Sequence, residues 1–231
     1  SLTLRHHPRA RRVKLSLDHR SRSARVTLPQ SLPLEMGLRF AEQHKDWLSA
    51  RLADLDQQPA IQPGASIPFD GGTLLLLHEP HSRSVWLEDG SLHVGGAPEF
   101  FARRVMDFFS DWTRKDLSPR VLAKAERLGK RVKRISIRDQ KTRWGSCSTR
   151  GSLSFSWRIG LAPEPVRDYL AAHEVAHLAE MNHGPRFWAT CDSLCPGGRK
   201  QRDRAEAWLK GPGRAVMALA LEPASGQQDG S

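Results

Sequence analysis

Residues 173–188 read HEVAHLAEMNHGPRFW and gather His173, Glu174, His177 and His183 into one short stretch. His173 and His177 are four residues apart, which on an α-helix puts both imidazoles on one face, about 6 Å apart along the axis and within reach of one metal ion. Glu174 lies about 100° further round, where its carboxylate reaches a water on that ion rather than the ion itself. A catalytic zinc site needs a third protein ligand and an open position. His183 is the expected third ligand. On an unbroken helix it would be turned about 600° from His177 and point elsewhere, so the helix must end first. Asn182, which tolerates a left-handed backbone, Gly184, which has no steric limits, and Pro185, which opens a helix, supply that ending. Glu180 shares the face of His173 but falls about 10 Å along the axis from it, too far for one ion. Glu206 and Asp203, further along the chain, are the rival distal carboxylates.

These residue types at this spacing point to metal-assisted hydrolysis. A zinc ion held by His173, His177 and His183 brings the pKa of its water towards neutrality and polarises a carbonyl, while Glu174 takes the water proton and returns it to the leaving amine.

The elements that must position this set can be read from patterning. Residues 2–28 alternate apolar and basic residues and predict two strands with a turn near Asp18–Ser21. Apolar positions between Pro33 and Leu55 (Leu38, Phe40, Ala41, Trp47, Leu48, Leu52) predict a helix, and the Pro- and Gln-rich run 56–66 a linker. Short strands follow over 67–95, punctuated by Gly71–Gly72, Asp89–Gly90 and Gly95–Gly96. A long amphipathic helix is expected from Pro98 to Leu128, burying Phe100, Phe101, Val105, Phe108, Phe109 and Trp112. RVKRISIRD and SLSFSW predict strands, with TRGS at 149–152 as the hairpin turn between them. A helix opened by Pro163 or Pro165 carries His173 and His177 to about Met181, another starts near Pro185, and a last one covers Arg199–Lys210. The chain from Gly211 onward has no usable pattern beyond one short apolar patch and is expected to be a mostly loose tail.

Composition bounds the class. The 231 residues are 39% hydrophobic and 26% charged, enough for a real core in a globular chain. No run reaches the ~18 apolar residues of a membrane span, and no apolar segment follows the N-terminal Arg and His residues, so neither membrane nor secretory leader is expected. Three cysteines, Cys147, Cys191 and Cys195, fit a reducing cytoplasm rather than a disulfide framework. Lys and Arg number 36 against 25 acidic residues, a net charge of +11 that favours an anionic substrate or nucleic acid as partner. Arg11, Arg12, Lys14, Arg20, Arg22 and Arg25 predict one strongly positive sheet face.

The runs KTRWGSCSTRGSLSFSWRIGLAP, VRDYLAAHEVAHLAEMNHGPRFW and CPGGRKQRDRAEAWLK together closely resemble the YgjP-like metallopeptidase family, minimal zincins related to the SprT-like and WLM proteases. The resemblance is strongest over residues 130–210. It implies that His173, His177 and His183 bind zinc, that Glu174 is the catalytic base, and that RWGSC (143–147) lies on a strand edge beside the cleft. The CPGGRKQRDRAEAW segment is longer than the family's usual spacing. The expected fold is therefore α+β: a zincin-like catalytic domain over 98–211, with its active-site helix on a small antiparallel sheet, preceded by a β-rich accessory region (1–97) and followed by a tail (212–231). Trp144 and Cys147 are read as packing residues beneath the active-site helix. Arg143 is the candidate to hold a substrate carboxylate or phosphate. Tyr169, one turn before His173, is read as a packing residue within hydrogen-bonding range of the site. A peptide or protein is the expected substrate. The rival readings are a metal-dependent phosphohydrolase acting on nucleotides, against which no Gly-rich phosphate loop is present, and a protease recruited to nucleic-acid-bound proteins.

Overall fold

The computed structural model describes residues 2–18, 23–56, 60–140 and 142–219. Its contacts divide the chain into two compact units, residues 1–58 and 59–231.

The first unit holds β1 (Leu2–His6), β2 (Lys14–Asp18), β3 (Ser23–Leu28), α1 (Leu34–Gln43) and α2 (Lys45–Asp56). Three strands thus stand where two were expected, in the order β1-β3-β2, with β1 parallel and β2 antiparallel to the central strand. The expected turn near Asp18–Ser21 falls largely outside the described residues. Ala24, Val26 and Leu28 point inward towards α1, so the alternate residues face out. Register places Arg5, Thr27 and Lys14 in one row and Thr3, Arg25 and Ser16 in the next, a basic outer face. Arg11 and Arg12 precede β2, and Arg20 and Arg22 lie outside the described residues. The single helix expected over 33–55 is broken at His44, whose ring nitrogen Nδ1 bonds the Phe40 carbonyl at 2.8 Å. Leu38 is exposed, because the buried residues of α1 are the small ones, Gly37 and Ala41, and Trp47 on α2 is exposed as well.

The second unit begins with β4 (Ser66–Phe69), β5 (Gly72–Glu79), β6 (Val85–Glu88) and β7 (Ser91–Gly95), ordered β4-β5-β7-β6. Asp70–Gly71 and Asp89–Gly90 turn its two hairpins with positive φ at both residues (47° and 85°, 44° and 73°), the backbone that tight two-residue turns require. Residues 98–100 form one 3₁₀ turn, and α3 (Phe101–Arg127) follows. Along α3, Val105, Phe109, Thr113, Leu117, Val121 and Ala125 are buried every fourth residue. A fourth-residue stripe advances about 40° per step around a helix, so the two halves of α3 serve different cores. Phe101, Val105 and Phe109 pack with Ile67, Leu74, Leu76, Leu92 and Val94. Leu117, Val121 and Ala125 pack with the elements that carry the histidines. That shared helix joins residues 59–97 to the rest of the unit. Phe100, expected inside, is 57% exposed, because it caps the helix rather than lying on the stripe.

The second core is built by β8 (Arg134–Arg138), β9 (Gly145–Cys147), β10 (Ser152–Ser156), α4 (Glu164–Ala176), α5 (Pro185–Leu194) and α6 (Gly198–Lys210). The small sheet runs β8-β10-β9. It is mixed rather than antiparallel: β8 and β10 are parallel, and the turn at 148–151 joins β9 to β10. The tail also differs from expectation. α7 (Gly213–Ala218) folds back, burying Val216 and Leu219 in the first core, while the buried Arg158 donates to the Leu219 carbonyl at 2.9 Å. Among the described residues no helix is long and apolar enough to cross a membrane.

Ion pairs fix α4 against α3. Lys124, 6% exposed, reaches Asp168 at 2.9 Å and the Leu194 carbonyl at 2.8 Å, so one ammonium ties α3, α4 and α5. Arg167 bonds Asp116 at 3.1 Å and Asp70 at 3.0 Å. Buried charges persist when paired and hydrogen-bonded as these are.

Candidate metal centre

The helix α4 ends at Ala176, a turn earlier than expected, and His177 is its C-cap. Leu178 and Ala179 bond back by three residues, to Val175 and Ala176, which tightens the last turn. The His177 ring nitrogen Nδ1 lies 3.2 Å from the Glu180 carbonyl, so the side chain itself satisfies a freed acceptor. Neither Asn182 nor Gly184 takes the left-handed conformation expected of the break: Gly184 is extended at φ −83°, and among the described non-glycine residues only Asp70 and Asp89 have positive φ. The reversal is made by the tightened turn at 176–180 and by the Gly184 N–H bonding the Asn182 carbonyl at 2.7 Å. Pro185 then opens α5.

This reversal brings His183 back onto the other two rings. One ligand atom from each of His173, His177 and His183 lies within 4.8 Å of the others, and the described residues hold this one such group of three donors. Nε2 of His173 faces Nε2 of His183 at 3.2 Å. Tyr169 fixes what that contact means. Its hydroxyl donates to Glu206 Oε1 at 3.1 Å, so with its one proton spent it accepts from His173 Nδ1–H at 3.2 Å. His173 therefore presents a bare lone pair at Nε2, the form a metal ligand needs. Burial, then the charges of His177 and His183, pushes His173 down to about 4, and His177 is lowered too, chiefly by burial. Three imidazoles converging on one point fit a bound cation.

Glu174, on the next position of α4, is buried, and its Oε2 has no hydrogen-bond partner. Burial raises it to about 8, with the nearby Arg143 charge pulling the other way. A Cβ on Gly145 of β9 would lie 2.5 Å from Glu174 Oε1, so the glycine is what lets strand and carboxylate meet. An orphan carboxylate oxygen beside three converging histidines is poised for a proton from something held at those histidines.

β9 is the free edge of its sheet. The Ser156 N–H bonds the Trp144 carbonyl and the Ser148 N–H bonds the Ser152 carbonyl, at 2.8 and 2.9 Å. By alternation the N–H and C=O groups of Gly145 and Cys147 turn outward, away from β10. A cavity of about 520 Å³ opens there, with His173, Glu174 and His183 at its base, walls from Trp144, Leu170, Trp188 and Leu209, and Arg143 and Lys210 as its cations.

Glu206, weighed as a metal ligand, is brought to Tyr169 and to Lys210 at 2.6 Å and stays outside the donor group, as does Asp203. Trp144 and Cys147 pack at the edge of the α4 core, as their apolar character suggested. Cys191 and Cys195 are buried free thiols in that core. Arg143 lies at the cavity with its guanidinium exposed. Two residues escaped sequence reasoning. Gly145 sits in the quoted RWGSC run, and a glycine flanked by strand residues was the available signal. Lys210 stands four residues after Glu206, a helical ion-pair spacing that was legible.

The family model described as YgjP-like, metallopeptidase domain, matches residues 11–210. No curated protein and no solved structure matches the chain.

Proposed function

Because the chain belongs to the YgjP-like family and carries its metallopeptidase domain over residues 11–210, it is a metal-dependent hydrolase, and we propose that it is a zinc peptidase with Glu174 as general base. The observation that carries this is the convergence of three histidine nitrogens beside a buried carboxylate with an unpartnered oxygen. The donor set supports zinc among the divalent ions: imidazole suits zinc, and nitrogens each about 2.1 Å from a tetrahedral ion stand roughly 3.4 Å apart. The 3.2 Å between the Nε2 atoms of His173 and His183 is close to that spacing.

When bound, the ion supplies a Lewis acid and an acidified water. The protein does the rest. Tyr169 and the Glu180 carbonyl orient His173 and His177 through their Nδ1 atoms. Glu174 takes the proton of the attacking water at its free carboxylate oxygen and passes it to the departing nitrogen. Arg143, like any cation at the histidines, favours the ionised carboxylate this requires. The outward backbone groups of Gly145 and Cys147 receive an extended polypeptide as an added strand, and the Trp144, Trp188 and Leu209 walls take an apolar side chain. Arg143 holds a substrate oxygen at the cavity mouth. The three free thiols favour a cytoplasmic setting.

Metal analysis paired with turnover tests the reading. Glu174→Gln keeps one zinc per chain and loses hydrolysis of a casein-derived peptide mixture by orders of magnitude. His173→Ala and His177→Ala lose the zinc, and His183→Ala binds it weakly. Stoichiometric zinc in His173→Ala, or near-normal turnover in Glu174→Gln, overturns it.

A further inference from the structure

A second, smaller cavity of about 290 Å³ lies against the other side of the histidine group. His177 lines it, whereas His173 and His183 line the larger one. Its rim combines three segments far apart in sequence: Lys130 and Arg131 from the α3–β8 loop, Ser148 to Gly151 from the β9–β10 turn, and the chain just after α4. Lys130, Arg131 and Arg150 are exposed, none of the three has an ion-pair or hydrogen-bonding side-chain partner among the described residues, and no acidic residue lines the cavity. The three cations are held together by backbone. Gly151, at φ 76°, accepts from the Lys133 N–H at 2.9 Å, and a Cβ there would come within 3.3 Å of the Arg131 carbonyl. Like charges fixed side by side without a counter-charge repel one another, and an anion seated among them relieves that repulsion.

Position indicates which anion. The extended run from Gly145, which meets Glu174, to Ser148 on the cavity rim is three residues, or about 10 Å, before the chain turns over 148–151. We propose that this cavity is an anionic subsite that takes an acidic side chain of the polypeptide substrate three or four residues to one side of the scissile bond. Lys130, Arg131 and Arg150 meet the carboxylate, and the Ser148 and Thr149 hydroxyls add donors. The inference rests on the peptidase reading for the identity of the ligand, and its test separates the two.

The probe is a set of fluorescein-labelled peptides differing only in Glu or Gln at one position, titrated onto zinc-loaded Glu174→Gln protein by anisotropy. The Glu peptide should bind about fivefold tighter when its acid is three or four residues from the central bond, with the preference fading at high salt. Replacing Lys130, Arg131 and Arg150 together by serine should erase the preference while zinc content is unchanged. In the otherwise wild-type enzyme the same triple replacement should raise KM about fivefold for the Glu peptide, leave kcat alone and spare the Gln peptide. Equal binding of the two peptides, or a preference that survives the triple replacement, overturns the subsite. A cation-dependent preference without any cleavage by the wild type would keep the subsite and refute the peptidase reading instead.

Discussion

Gly145 and Glu174 are packed so closely that a methyl group on the glycine would occupy the place of the carboxylate, 2.5 Å from Oε1 and 2.9 Å from Cδ. The base is thus aimed by a strand that contributes no side chain at that point. Gly145→Ala should leave zinc content unchanged and lower kcat by roughly ten- to a hundredfold, since small displacements of a reacting group carry penalties of that size. Metal analysis beside steady-state kinetics checks it. Unaltered kcat would show that Glu174 has room to move without consequence.

Tyr169 joins His173 to Glu206 through one hydroxyl. Tyr169→Phe keeps the buried ring and removes both bonds, so it should weaken zinc by about ten- to a hundredfold, the usual effect of losing an outer hydrogen bond to a ligand. Competition with a chelator of known affinity measures it. Unchanged affinity would reduce Tyr169 to packing.

From these two groups the metal-free protein should be most stable between about pH 4.5 and 6.5, with limbs of opposite sign on either side. Glu174 is raised from 4.5 to about 8, so its stabilising neutral form is complete below the unfolded value and lost as pH rises through 8. His173 is lowered from 6.5 to about 4, so its contribution is complete above 6.5 and lost as pH falls towards 4. Urea midpoints in chelator across this range report both limbs. Glu174→Gln should flatten the alkaline limb and extend the acid limb up to about 6.5, and a fall that persists above 6.5 would place its origin elsewhere.

Lys124→Met leaves Asp168 buried against α3 without its nearest cation. The expected loss is about 3 kcal/mol, the lower end for breaking a buried pair, because Arg120 remains 3.5 Å from the same carboxylate. Asp168→Leu in the same chain should recover much of it. A loss below about 1 kcal/mol in chemical denaturation would mean that the pair is effectively solvated.

Ending the chain after Gly211 removes Val216 and Leu219, both essentially fully buried, and frees the Arg158 guanidinium group that holds the Leu219 carbonyl. Two such side chains are worth about 4 kcal/mol together. The truncated protein should melt lower by a corresponding amount. An unchanged midpoint would return the segment to the status of a tail.

Spacing in the sequence alone determined that His173 and His177 share one helical face, the need for a helix end before His183, and the break between strands at Asp89–Gly90. Each of these depends on backbone geometry within one or two turns of chain, which residue types and intervals encode directly. The apolar stripe of α3 was legible for the same reason, although not that its halves serve two cores. Tertiary structure decided what distance along the chain conceals. The hairpin expected between RVKRISIRD and SLSFSW is not formed: only the assembled sheet makes β8 parallel to β10 and brings Gly145 of the edge strand to Glu174. Glu206 had the chemistry of a ligand, yet packing of α6 on α4 delivers it to the Tyr169 hydroxyl. Lys130, Arg131 and Arg150 form a single charged cavity because two loops close on Gly151. Pairings between distant segments follow from the burial of shared apolar faces, a property of the whole chain that no local interval records.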